Sequence, residues 1–86
     1  MNELEKFAKV QKECLEIFEK KNHDYGSSYK DYGTIGILIR MGDKINRCLS
    51  IDKKSVTMVS EENLRDTLLD LHNYCAMAVM LLDDKS

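Results

Sequence analysis

The sequence predicts an all-α fold, a bundle of three helices over about residues 2–21, 34–51 and 61–82, completed by oligomerisation. Three observations carry this expectation. The 86 residues hold no proline and only four glycines, between runs rich in Leu, Ile, Met, Glu and Lys. Apolar residues recur at helical spacing in three stretches parted by polar segments. Tyr74 to Leu82, in the last stretch, is apolar on every side, which a surface helix of a small monomer does not tolerate. At this length the chain is one domain, residues 1–86, near the low end of what buries a core unaided.

The first helix follows from Leu4, Phe7, Gln11, Cys14, Leu15 and Phe18, which share a face, with Glu5, Lys9, Lys12, Glu16, Glu19 and Lys20 largely opposite on a solvated one. Asn2 is the expected N-cap, and Glu3 and Glu5 suit the positive end of the helix dipole. Periodicity stops at Asn22, where NHDYGSSYKDYG reads as a loop because turn-forming residues dominate it. Its tyrosines either stack on a base, with Ser27, Ser28 and Lys30 meeting phosphate or ribose oxygens, or pack back on the helices.

The second helix opens at Thr34, an N-cap candidate, and Ile35, Leu38, Ile39, Met41, Ile45, Cys48 and Leu49 make a wide apolar surface. Gly36, Arg40, Asp43 and Arg47 form a polar stripe beside Lys44, the glycine admitting a ligand or another backbone at close range. After a linker, Asp52 to Val59, whose last four residues suit an extended strand, Ser60 caps the third helix. Glu61 and Glu62 occupy its first turn, and Val59 against Leu64 makes a hydrophobic staple. Glu62, Asp66, Asp70 and Asn73 then fall on one helical face.

Thirteen basic against fifteen acidic residues, with no basic block, argue against duplex nucleic acid as a partner. Cys14, Cys48 and Cys75 lack CxxC spacing and read as reduced thiols of a cytoplasmic protein. The charged N-terminus is no signal peptide, and the apolar end of the third helix is too short to span a bilayer. His23 and His72 have no zinc-ligand spacing, and the chain has no P-loop or dinucleotide fingerprint.

The linker makes the second and third helices antiparallel neighbours, so the two polar stripes are expected to face each other. Interhelical ion pairing that fixes register is one reading. The other is a nucleotide site, in which Asp66 and Asp70, with Asp43 opposite, hold Mg²⁺ while Arg40, Lys44 and Arg47 neutralise phosphates.

The runs KNHDYGSSYKDYG, GILIRMGDKINR and DTLLDLHNY resemble the nucleotide modification associated domain 1 family, a mostly phage and bacterial group, over about Lys21 to Leu82. That family is similar to the all-α, MazG-like and dimeric dUTPase-like nucleotide pyrophosphohydrolases, which bind Mg²⁺ and nucleoside triphosphate in a bundle completed by dimerisation. The resemblance implies a ligand site that takes Asn22, Asp24 and Tyr25 from the first motif, to which the reading of the loop itself adds Ser27, Lys30 and Tyr32. Arg40, Asp43, Lys44 and Arg47 come from the second motif, and Asp66, Asp70, Asn73 and Tyr74 from the third.

The second helix departs from the pyrophosphohydrolase pattern, offering Asp43 where those enzymes carry an EExxE cluster, and Thr67 stands three residues before Asp70 in place of a glutamate. With fewer carboxylates, metal-assisted activation of water is weakened, while the cations that hold a phosphate remain. The leading expectation is a binder that sequesters a phosphorylated or cyclic nucleotide, by analogy with very small phage proteins that act against host defence signals through oligomeric pockets. The alternatives are a Mg²⁺-dependent nucleoside triphosphate pyrophosphohydrolase at the same site and a structural helical interaction module.

Overall fold

The computed structural model describes the backbone of residues 1–25, 28–54 and 61–85 and the side chains of residues 1–22, 31–49 and 63–85. Three helices account for it: α1 (Glu3–Tyr25), α2 (Ser28–Lys54) and α3 (Glu61–Lys85). The all-α three-helix bundle is as the sequence predicts. The Ser60 cap, the staple through Val59, the extended Val56 to Val59 and the side chain of Glu62 lie outside the described residues.

The start of α1 follows its cap. Asn2 Oδ1 accepts a hydrogen bond from Glu5 N at 2.8 Å, and the Asn2 carbonyl accepts one from Lys6 N at 3.0 Å. The other end differs from expectation: α1 continues to Tyr25 and α2 already begins at Ser28, so most of the Asn22 to Gly33 stretch is helix, not loop. Within α2, Gly33, with φ of 66° and ψ of −164°, breaks the helix into two segments. A side chain rarely adopts that backbone conformation, so the break falls on a glycine.

Just beyond the break, the Thr34 hydroxyl is buried without a hydrogen-bond partner among the described residues, so its side chain does not cap the second segment. At Gly36 the close neighbour is Tyr32, whose Cβ an added methyl group would overlap. The expected ligand approach at this glycine is instead an approach by the chain's own tyrosine.

The core is small. Ile37 of α2 packs with Tyr74, Met77, Ala78 and Leu81 of α3, and Phe18 and Met41 lie against the cluster half-buried. A second contact joins α1 to α3, where Cys14 is fully buried and its thiol points at the Leu69 carbonyl, 4.0 Å away. Burial raises the Cys14 thiol pKa, and the nearby Glu13 carboxylate adds to the shift. Burying a side chain such as Met77 contributes about 1.5–3 kcal/mol, so these few residues set the register of the helices. Lys44 meets Asp70 and Tyr74, whereas Ile37, earlier on α2, joins the cluster that runs to Leu81. The helices α2 and α3 are therefore antiparallel. No helix among the described residues is long and apolar enough to cross a membrane.

Candidate functional site

Each helix carries two inward apolar residues with a charged residue in the same register. On α1 these are Cys14, Phe18 and then Lys21; on α2, Ile37, Met41 and then Lys44; on α3, Asp70 precedes Tyr74 and Met77. The shared spacing of four and three residues keeps each set on one face. Because α3 runs opposite to α2, its charged residue comes first, and all three charges gather at one end of the core.

Asp70 is the centre of this cluster. Its Oδ1 accepts a hydrogen bond from Lys21 Nζ at 3.0 Å, and its Oδ2 lies 3.7 Å from Lys44 Nζ. One carboxylate thus faces two ammonium groups, and the trio is net positive. Lys44 Nζ also stands 5.8 Å from the centroid of the buried Tyr74 ring, within cation–π range. The three charged side chains keep 46%, 30% and 21% of their accessible surface in the order Lys21, Lys44, Asp70. Ion pairs this solvated contribute about 1 kcal/mol or less each, so an incoming anion displaces Asp70 from either lysine at little cost.

The stripes meet less fully than expected. Lys44 and Asp70 join them, but Arg40, Asp43 and Arg47 on α2 and Asp66 on α3 are exposed and form no ion pair between the stripes among the described residues. The reason is register: α2 turns Ile37 and Met41 toward α3, and Arg40 and Arg47 lie round the helix from that face. They still flank Lys44 at i−4 and i+3, giving α2 a row of three cations along one side.

Asn73 is buried, with both ends of its amide engaged. Its Nδ2 donates to the Cys14 carbonyl at 3.0 Å, and its Oδ1 lies 3.0 Å from His72 Nδ1, which this amide orientation requires to be the protonated ring nitrogen. Asn22 and Tyr32 are exposed. The side chains of Asp24, Tyr25, Ser27 and Lys30 lie outside the described residues. No three His, Cys, Asp or Glu side chains among the described residues are grouped so as to hold a metal ion. Of the three aspartates expected to hold Mg²⁺, Asp70 has both oxygens facing lysines, while Asp43 and Asp66 are exposed.

Two contributors from α1 escaped the sequence reading. Lys21 continues the Cys14 and Phe18 face, and a lysine on an apolar face is the signal that could have exposed it. Glu13 receives both terminal nitrogens of Arg65, at 3.0 and 2.5 Å, in a bidentate pair across α1 and α3. The Arg65 hydrogen bonds hold the Glu13 carboxyl below its usual range.

Residues 21–82 match the nucleotide modification associated domain 1 family, a segment that contains Lys21, Lys44, Asp70 and both stripes. The chain belongs to that family. No curated protein and no solved structure matches it. The boundary of the nucleotide modification associated domain falls inside α1, so Glu13 and Cys14 lie before it although both contact α3.

Proposed function

We propose that this protein binds and sequesters a phosphorylated or cyclic nucleotide on the side of the bundle where Lys21, Lys44, Arg40 and Arg47 present their charges. The supporting observation is the convergence of Lys21 and Lys44, from two helices, on the single carboxylate of Asp70. A phosphate replaces Asp70 as their counter-ion, and the adjacent arginines supply bidentate donors for its remaining oxygens. The exposed Tyr32 ring offers a face for the base. The second helix, which offers Asp43 beside Arg40, Lys44 and Arg47, supplies more cations than carboxylates and favours holding an anion over cleaving it. This reading places the protein in the cytoplasm, in phage-type action against nucleotide-based defence.

The test is to incubate the protein with nucleoside triphosphates and cyclic nucleotides, with and without Mg²⁺, and to analyse the bound material after denaturation. Recovery of intact ligand, with affinity lost in Arg40→Ala and Lys44→Ala, is the expected result. Release of a monophosphate and pyrophosphate would establish the hydrolase instead. Failure to bind any member of the panel would leave an interaction module.

A further inference from the structure

In a regular helix, side chains four residues apart keep their Cβ atoms about 5–6 Å from one another. Tyr32 and Gly36 depart from this. The break at Gly33 lies between them, and the Tyr32 Cβ overlaps the place that a Cβ on Gly36 would take, with the first ring carbon 3.5 Å from it. Tyr32 therefore stands in for the side chain that Gly36 lacks. Gly36 heads the stripe that continues through Arg40, Asp43 and Arg47, so the tyrosine becomes the first member of that row from the far side of the break. Helical side chains lean toward the start of their helix, which directs Arg40, one turn or about 6 Å further on, back toward Tyr32.

Folding gains little from this arrangement. Tyr32 keeps 78% of its surface, more than any other aromatic residue among the described ones, so it adds almost no buried apolar area. Gly33 and Gly36 each weaken the helix that contains them. Two glycines are thus placed around a ring that is left in water, with the exposed guanidinium of Arg40 as its neighbour along the row. Aromatic rings and guanidinium planes are the two kinds of protein surface on which a nucleobase stacks.

We infer that Gly36 is a positioning residue for base recognition: it leaves open the seat from which the Tyr32 ring, with Arg40 beside it, stacks on the base of a nucleotide whose phosphates lie on the cation row. This rests on the nucleotide reading and divides the work within that site. Lys21, Lys44 and Arg47 hold charge and do not sense the base. The seated ring supplies affinity that a bare phosphate chain cannot draw on, because only a base has a face to stack. Gly36 acts through Tyr32 and does not itself touch the ligand, so its effect disappears when the ring is removed.

The test is calorimetric titration of the wild type and its variants with nucleoside triphosphates, cyclic nucleotides and, in parallel, inorganic tripolyphosphate. Tyr32→Leu keeps the β-carbon and the seat but loses the ring, and should weaken the tightest-binding nucleotide by about tenfold while leaving tripolyphosphate binding unchanged. Tyr32→Phe should bind as the wild type does. Gly36→Ala, which pushes the ring from its seat, should reproduce the Tyr32→Leu loss for the nucleotide alone. Combining Gly36→Ala with Tyr32→Gly relieves the overlap, so this double variant folds even where Gly36→Ala does not, and it should bind nucleotide no more weakly than Tyr32→Gly. A wild type that binds no nucleotide would overturn the nucleotide reading and this inference together. Nucleotide affinity unmoved by Tyr32→Leu, a loss shared by tripolyphosphate or by Tyr32→Phe, or a further loss in the double variant would overturn this inference and leave that reading standing.

Discussion

The side-chain amide of Asn73 on α3 donates to the carbonyl oxygen of Cys14 on α1 at 3.0 Å, deep enough that Asn73 keeps only 4% of its surface. The same amide accepts from His72, so one side chain ties two helices and fixes a neighbouring ring. Asn73→Ala therefore removes a buried bond and strands the His72 donor, at a cost of about 1–3 kcal/mol. Thermal denaturation should show the midpoint falling by roughly 4–8 °C per kcal/mol for a domain of this size. An unchanged midpoint would mean the amide contributes nothing to the α1–α3 contact.

Gly33 and Gly36 act together at the break in α2. Gly33→Ala forces a side chain into the φ of 66°, at a cost of about 1–3 kcal/mol. Gly36→Ala drives a methyl group into Tyr32, a comparable penalty of about 1–3 kcal/mol for overpacking. Chemical denaturation of each variant measures these losses. Wild-type stability in Gly33→Ala would contradict the sharp break.

The Glu13–Arg65 pair gives stability a pH dependence. Because the folded Glu13 pKa lies below the usual carboxylate value of 4.5, the unfolded chain takes up the proton first as pH falls. The contribution is complete above the unfolded pKa and is lost as pH drops through the lowered folded one. Stability measured from pH 6 downward should decline less steeply in Glu13→Gln than in the wild type. Parallel curves would show that the pair is not formed in solution.

Asp70 separates the two chemistries proposed for the site. If it is only the resting counter-ion shared by Lys21 and Lys44, Asp70→Asn removes that shared charge and nucleotide affinity rises, whereas Lys21→Ala and Lys44→Ala each lower it by about tenfold, the loss of one charge-assisted bond. Calorimetric titration of the three variants reads this directly. A collapse of affinity in Asp70→Asn would place the carboxylate on the ligand side, as a metal ligand would be.

The helical architecture was legible because periodicity and capping are local properties, as Asn2 shows. The segment from Asn22 to Gly33 misled because its composition is that of a turn while its conformation is mostly helical. Composition averages over a dozen residues, and among the described residues of the stretch left-handed backbone is found at Gly33 alone. The Lys44–Asp70 contact could be anticipated from stripes on adjacent helices. The part played by Lys21 could not, because how α1 lies across the other two helices depends on tertiary packing of Cys14 and Phe18. The same packing turned Arg40 and Arg47 outward, since the apolar residues beside them claimed the inner face.

The match to the family starts at Lys21, most of the way along α1, yet Arg65 is held by Glu13, and Leu69 and Asn73 by Cys14, both before it. The matched segment and the folding unit therefore have different borders. A chain cut at residue 21 would retain every family motif and lose the roof of its own third helix.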